Sequence, residues 1–336
     1  MSRPKIVPGF KTALQPTCTL SPIIAPNFLS FVSRSSSPIL RTTCDSSSLR
    51  FETFRRNFHL LGDSNGSFTT GITKFSDMSQ SEFAKNFLTL DFNPSDTANF
   101  EAVTIKEFGA APPSYDWRNE GRVSPIKNQG NKCSCCYAFS TIANLESLYY
   151  AKTKVMTPLS EQMIIDCDAE HGGCSGGLMQ YSLDWIKKNG GIMAEKDYLF
   201  SGIKGPCKKK EEKYVDLKVT GYKKLGEPDK VWNCVDENQI KEFLYANGPL
   251  IAAINGDYLK SYTGGIIDPP KRRCTAGGID KAVLLIGYGN EGSTNMDYWI
   301  VKNSWGKDWG ESGYFRIRRG AGTCGINCYI MTATIE

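Results

Sequence analysis

Gln129-Gly130-Asn131-Lys132-Cys133-Ser134-Cys135-Cys136-Tyr137-Ala138-Phe139-Ser140 reads as a glycine-containing turn running into a buried helix. The helix continues to about Lys152, and Phe139, Ile142, Ala143 and Leu145 make it largely apolar. A cysteine at such a helix start meets the positive end of the dipole, which favours the nucleophilic thiolate. A glutamine just upstream can donate to an oxyanion formed beside that cysteine's own backbone N–H. Three clustered cysteines also suit disulfides or zinc. Zinc is the weaker reading, because no second cysteine or histidine pair at ligand spacing follows.

Working outward, Ser160 is a suitable N-cap for a helix ending near Cys167, and a third helix spans about Leu178 to Asn189 before Gly190-Gly191. From Lys218 the chain turns strand-rich, with Leu250 to Ile254, Ala282 to Tyr288, Tyr298 to Val301 and Tyr314 to Arg318. Helices first and strands second predict an α+β fold of two subdomains with a cleft between them. Upstream of the quoted stretch, Phe51, Phe54, Phe58 and Leu61 fall at helical spacing, with Arg55 and Arg56 on the wet side. Phe68 to Ile72 reads as a strand, and Ser79 to Leu88 as a short helix with Phe83 and Phe87 on one face. Residues 91–112 read as an extended linker.

The 336 residues include 12 cysteines but only 2 histidines, with 40% hydrophobic and 22% charged content. That balance fills a core and excludes disordered, collagenous and coiled-coil chains. The longest apolar run, Ala282 to Tyr288, is far below the roughly 18 residues of a membrane span, so no membrane partner is expected. The net charge of +5 sits wholly in residues 1–44, leaving 35 basic and 35 acidic residues in the remainder. A neutral body without a basic stripe argues against nucleic acid as a partner. The cysteine count suggests an oxidising compartment. With so few histidines a His-rich metal site is nearly excluded, and neither metal nor other cofactor is expected. Any catalytic histidine must be His59 or His171. Residues 1–45 form a basic, Ser/Pro-rich segment in which Pro22, Pro26 and Asn27 break the only candidate signal-like stretch. Asn65-Gly66-Ser67 is a glycosylation triplet that leans toward the secretory route.

The quoted stretch resembles the active-site cysteine motif of the papain/cathepsin family of cysteine proteases. The resemblance continues through Pro113-Ser114-Tyr115-Asp116-Trp117-Arg118, Leu159-Ser160-Glu161-Gln162, Asp166-Cys167-Asp168 and Gly173-Cys174-Ser175-Gly176-Gly177. It closes with Lys302-Asn303-Ser304-Trp305-Gly306 and Thr323-Cys324-Gly325-Ile326, all in family order, and the ending from Cys324 is most similar to the cathepsin F branch. Arg50, Phe54, Asn57, Leu61 and Asn65, followed by Gly71 to Asp77, resemble the family's inhibitory pro-domain. The resemblance implies a papain-like two-subdomain fold, with a helical half and a β-barrel-like half. It divides the chain into 1–45 (atypical N-terminal segment), 46–110 (truncated pro-region) and 111–336 (peptidase domain).

It also implies roles. Cys136 is the expected nucleophile, Gln129 the oxyanion donor, and Asn303 the residue that orients the catalytic imidazole, shielded by Trp305. Gly176 and Gly177 are expected to pair with an extended substrate. Leu178, Met179, Ala253, Ile279 and Ala282 are expected to line a pocket for a bulky apolar side chain, narrowed by Tyr329. The implied disulfides are Cys133–Cys174, Cys167–Cys207 and Cys274–Cys324, which leaves Cys135, Cys234 and Cys328 unassigned. Implied partners are a peptide or protein in the cleft, the chain's own pro-region and cystatin-like inhibitors, acting on a monomer in a lysosomal or extracellular setting.

One position departs from the pattern. The family expects a histidine within Ile279 to Val283, and this chain carries Lys281. A lysine at its ordinary pKa of about 10.4 is almost never neutral at pH 7, and in an open cleft it serves poorly as a base. Loss of the histidine from a comparable triad costs on the order of 10⁶ in turnover. Weak or absent hydrolysis is therefore expected, with a low-activity endopeptidase as the alternative. Ser134, Cys135 and Tyr137 also differ from the usual Gly, Ser and Trp. Cys135-Cys136 reads either as two free thiols or as a vicinal disulfide.

Overall fold

In the computed structural model, which describes residues 46–61, 66–90, 101–103, 111–226 and 234–336, the chain opens with α1 (Ser46–His59), β1 (Phe68–Thr70) and α2 (Gln80–Phe87). Ser79 caps α2, its Oγ accepting from the Glu82 N–H at 3.1 Å, and Phe83 and Phe87 form the buried face. Asn57 ties α1 to the chain before α2 by donating to the Ser76 and Met78 carbonyls, both at 2.8 Å. The apolar stripe of α1 is only partly covered: Phe54 is half-buried, while Phe51 and Phe58 remain exposed. The triplet residue Asn65 and the segment 1–45 lie outside the described residues.

After β2 (Glu101–Val103) and β3 (Tyr115–Asp116) come three helices. In α3 (Cys136–Thr153) every residue from Cys136 to Ser147 is buried, as its apolar character on all sides requires. The hydroxyl of Ser160 accepts from the Met163 N–H at 3.0 Å and starts α4 (Glu161–Cys167). Gly190, with φ at 82°, ends α5 (Met179–Asn189). Ile142, Leu145, Met163, Ile164, Leu183 and Ile186 interlock these helices in one apolar core.

The remainder is built from β4 (Val219–Leu225), α6 (Glu237–Asn247), β5 (Leu250–Ile254), β6 (Tyr262–Ile267), β7 (Lys281–Glu291), β8 (Met296–Lys302), β9 (Tyr314–Arg318) and β10 (Ile330–Ile335). The strand-rich expectation did not include α6. Its signals are local: Asp236 accepts from the Asn238 and Gln239 N–H groups, Ile240, Phe243 and Leu244 share one buried face, and Gly248 follows. The strands hydrogen-bond in the order β1-β6-β9-β8-β7-β5-β10-β4-β2, with β3 on β7. Among the described residues the path runs from β1 at one end to β2 at the other. A second core lies on this side around Trp299, Trp305, Trp309, Phe243 and Phe315.

The disulfides Cys133–Cys174, Cys167–Cys207 and Cys274–Cys324 form as the resemblance implied. Cys234 and Cys328, left unassigned by sequence, pair with each other across 94 residues. Cys135 and Cys136 are both free thiols.

Candidate active site

Two structural facts bring the candidate residues together. Lys281 opens β7 opposite Ile254, and β7 pairs with β8, whose last residue Lys302 leads into Asn303-Ser304-Trp305. The turn before α3 is held against that same tripeptide, with the Gln129 N–H donating to the Ser304 carbonyl at 2.9 Å and Asn128 bridging Trp305. Gln129, Lys281, Asn303 and Ser304 thus converge where α3 begins, and Cys136 is the first residue of that helix.

Lys281 is fully buried, at 0% exposure, which corrects the expectation of a water-open position. Its Nζ donates to Gln129 Oε1 and to Ser304 Oγ, each at 3.1 Å, and lies 4.8 Å from the centroid of the Trp305 ring. The Ser304 hydroxyl also donates to Gln129 Oε1 at 2.6 Å. Burial lowers the lysine's proton affinity below its ordinary value, against the opposing pull of Cys136, Cys135 and Asp280. Asn303 does not touch the amine: its Oδ1 accepts from the Ser304 N–H at 2.8 Å, and its Nδ2 is buried without a partner. Gln129 Nε2 is likewise buried and unpaired, an available donor. Cys136 is 1% exposed, and Cys135 turns its Sγ toward the Cys133 carbonyl at 3.4 Å. Burial pushes the Cys135 thiol well above its ordinary range, which disfavours its thiolate.

The two histidines lie elsewhere. His59 sits exposed in α1, and the His171 ring stacks on Tyr181 at 4.5 Å and faces Asp168 through Nδ1. Neither is hydrogen-bonded to the cysteine pair. Ser304 was absent from the sequence-derived set, although it bridges the lysine and the glutamine; adjacency to Asn303 was its only signal. Beneath the site, Lys127 pairs with Glu146, Glu161 and Glu195, and burial moves the Glu161 carboxyl up to about 7 and the Lys302 amine down to about 8.

The cleft is covered by the chain leaving α2. Phe75, Phe83 and Phe87 surround the Trp305 ring at 5.0, 5.5 and 5.6 Å, and Lys74 donates to the Trp305 carbonyl. Ser134 Oγ meets the Lys85 and Asn86 carbonyls, both at 3.3 Å, and the Leu90 N–H donates to the Asp280 carbonyl at 2.9 Å. A Cβ at Gly176 would stand 2.3 Å from the Thr89 carbonyl, and φ there is +105°, so a glycine is required. Gly177 lies against the Tyr137 ring instead. Leu178, Met179, Ala253, Ile279, Ala282 and Tyr329 are all buried in the apolar cluster that also contains Leu90.

A profile described as papain family cysteine protease matches residues 111–334. Cysteine proteinase 15A of Pisum sativum is 37% identical over 276 residues, covering 78% of this chain and 73% of its own length. Cathepsin F of Mus musculus is 38% identical over 267 residues, or 79% of this chain, and the match spans about half of that relative (55%). Among solved structures, procathepsin L2 from Tenebrio molitor larval midgut superposes with a TM-score of 0.78 at 31% identity, over 90% of this chain and 95% of its own. Recombinant stem bromelain precursor gives 0.75 at 31% identity, over 87% and 93%. Both are precursor forms, in keeping with a helical N-terminal segment seated on the cleft. With two thirds of its length inside the matched profile, the chain belongs to the papain family of cysteine proteases.

Proposed function

We propose that this protein binds extended peptides in the cleft and forms an acyl-enzyme through Cys136, but hydrolyses that intermediate poorly. Residues 46–110 act as the inhibitory pro-region and 111–336 as the peptidase domain. Gln129 supplies the oxyanion donor through its unpaired Nε2. Leu178, Met179, Ala253, Ile279 and Ala282 select a bulky apolar side chain at the second position before the cut, with Tyr329 narrowing the pocket. Gly176 and Gly177 offer backbone to the substrate strand. Four disulfides support folding in an oxidising compartment of the secretory route.

The observation that carries this reading is the bonding of Lys281. Its amine faces Gln129 and Ser304 and leaves Asn303 unengaged, so Asn303 orients no base. Hydrolysis needs a group that takes the thiol proton, returns it to the leaving amine and then activates water. A lysine aimed at the oxyanion side is placed to polarise Gln129 and is poorly placed for the last of these steps, the activation of water. A second reading, a slow endopeptidase with Lys281 as base, draws support from the burial that lowers its proton affinity.

One comparison separates the two. Folded protein freed of residues 1–110 is assayed on a peptide with Leu or Phe at the second position before the cut, beside Lys281→His. The expected result is turnover at least a hundredfold slower in the natural chain than in the histidine variant. Turnover within tenfold of the variant would sink the impaired reading in favour of the slow endopeptidase. A dead histidine variant would move the lesion to residues 133–137.

A further inference from the structure

Lys281 differs from Lys127, though not from Lys302, in lacking a carboxylate partner. Lys127 is paired with three carboxylates, and Lys302 donates to the carbonyl and hydroxyl of Ser124, each at 2.8 Å. Lys281 has no carboxylate partner. Its two acceptors are neutral and already hydrogen-bonded to each other, and an aromatic face closes the remaining side. The ionisable groups coupled to it are Cys136, Cys135 and Asp280; all three favour the ammonium, and burial outweighs them. Asp280 itself is held up near 7 by burial and so contributes a weakened negative charge under acid conditions. Burial enlarges the neutral fraction of this amine, and a neutral amine is a far stronger nucleophile than water.

Its position matters as much as its charge. The carbonyl oxygen of an acyl group on Cys136 would lie about 3 Å from an oxyanion donor, here Gln129 Nε2. The lysine amine holds the other end of that same amide, 3.1 Å from Oε1. A flexible four-carbon stem lets the amine exchange these hydrogen bonds for contact with the acyl carbon, and attack within one site avoids the entropy cost of bringing two molecules together.

We infer that an acyl group received by Cys136 is passed to the Lys281 amine, so the protein ends its first turnover carrying the peptide fragment as an amide. The inference rests on the acyl-enzyme reading above. The Nζ lone pair adds to the thioester carbonyl, a C–N bond forms and the C–S bond breaks. The electron pair of that bond leaves on the Cys136 sulfur, and the proton lost from nitrogen returns to it as the thiol. No oxidant, reductant or water is consumed. The thiolate leaves more readily than the amine, so collapse runs toward the amide. The class of ligand is thus any peptide whose carbonyl Cys136 accepts, retained covalently, one per chain.

The test uses the full chain, nicked once at a specific-protease sequence placed within residues 104–110 and confirmed open by alkylation of Cys136 with a small thiol reagent. It is incubated with an N-acetylated peptide thioester bearing Leu at its second-last position, then digested and read by mass spectrometry. The expected result is close to one acyl group per chain on Lys281, stable to hydroxylamine, with the bond after Lys281 newly resistant to trypsin. Cys136→Ala should lose that modification. Lys281→Met and Lys281→Arg should instead hold a hydroxylamine-labile acyl group on Cys136; either variant suffices should the other fail to fold. A labile adduct on Cys136 of the natural chain, with Lys281 unmodified, overturns the transfer and leaves the acyl-enzyme reading standing. Equal acylation of Lys281 in Cys136→Ala overturns it as well, because the cysteine is then not the donor. Absence of any adduct on Cys136, in the natural chain and in both lysine variants, overturns the transfer and the acyl-enzyme reading together.

Discussion

A single amine decides the chemistry at the residue scale. Replacing Lys281 with Met removes a buried group that prefers water when charged, while Gln129 Oε1 and Ser304 Oγ keep the 2.6 Å bond they already share. We expect Lys281→Met to raise stability at pH 7 by roughly 1–2 kcal/mol. The sign with pH follows from linkage. A lysine whose folded pKa lies below its unfolded value binds fewer protons in the native state, so its cost is full below the folded pKa and vanishes above the unfolded one. The advantage of Lys281→Met over the natural chain should therefore shrink as pH rises from 7 toward 10.5, read from denaturant midpoints. A difference that grows across that range would contradict a depressed amine. The lysine's identity was plain in the sequence, but its burial was not. That depends on Gln129, Ser304 and Trp305 closing around its amine from elements far apart in the chain.

Among the elements, α2 does the most to define the state of the cleft. Its two phenylalanines and Phe75 wrap Trp305, the residue that follows Asn303 and Ser304. Phe83 is at 0% exposure, so Phe83→Ala should cost about 3–5 kcal/mol of local packing. The loss should appear as faster hydrogen exchange across residues 75–90, with α3 unchanged. Equal acceleration in α3 would show that the segment and the body unfold as one unit. The helices α3, α4 and α5 were legible because each carries its own signal: a continuous apolar surface, a serine cap, a glycine stop. The helix α6 carries a cap and a spacing just as clear, yet it is embedded in a strand-rich half and was read over. Beyond adjacency to Asn303, the bonding of Ser304 has no local signal, since it arises only when the turn at Gln129 is laid against the end of β8.

For the whole molecule, covalent cross-links and packed cores share the work of holding two halves together. The sequence resemblance supplied three of the four disulfides; Cys234 and Cys328 lie 94 residues apart and meet where the Val235 N–H donates to the Asn327 carbonyl at 3.0 Å. Opening that bridge as Cys234→Ser with Cys328→Ser should lower stability by roughly 2–4 kcal/mol. The value is less than a loop of that length implies, because Cys274–Cys324 already closes part of it. Thermal melts of the double variant test this; an unchanged midpoint would mean that the bridge restrains nothing the sheet does not. The order of the strands has one more consequence. The segment over the cleft is also the sheet's outermost strand, with Phe68, Thr69 and Thr70 registered on Gly265, Gly264 and Tyr262. If that segment is removed, as the proposed pro-region role implies, a row of unpaired N–H and C=O groups is bared along β6, on the far side from β9. The shortened molecule would then meet other chains with a second place where an extended backbone can dock, one intramolecular strand exchanged for an intermolecular vacancy.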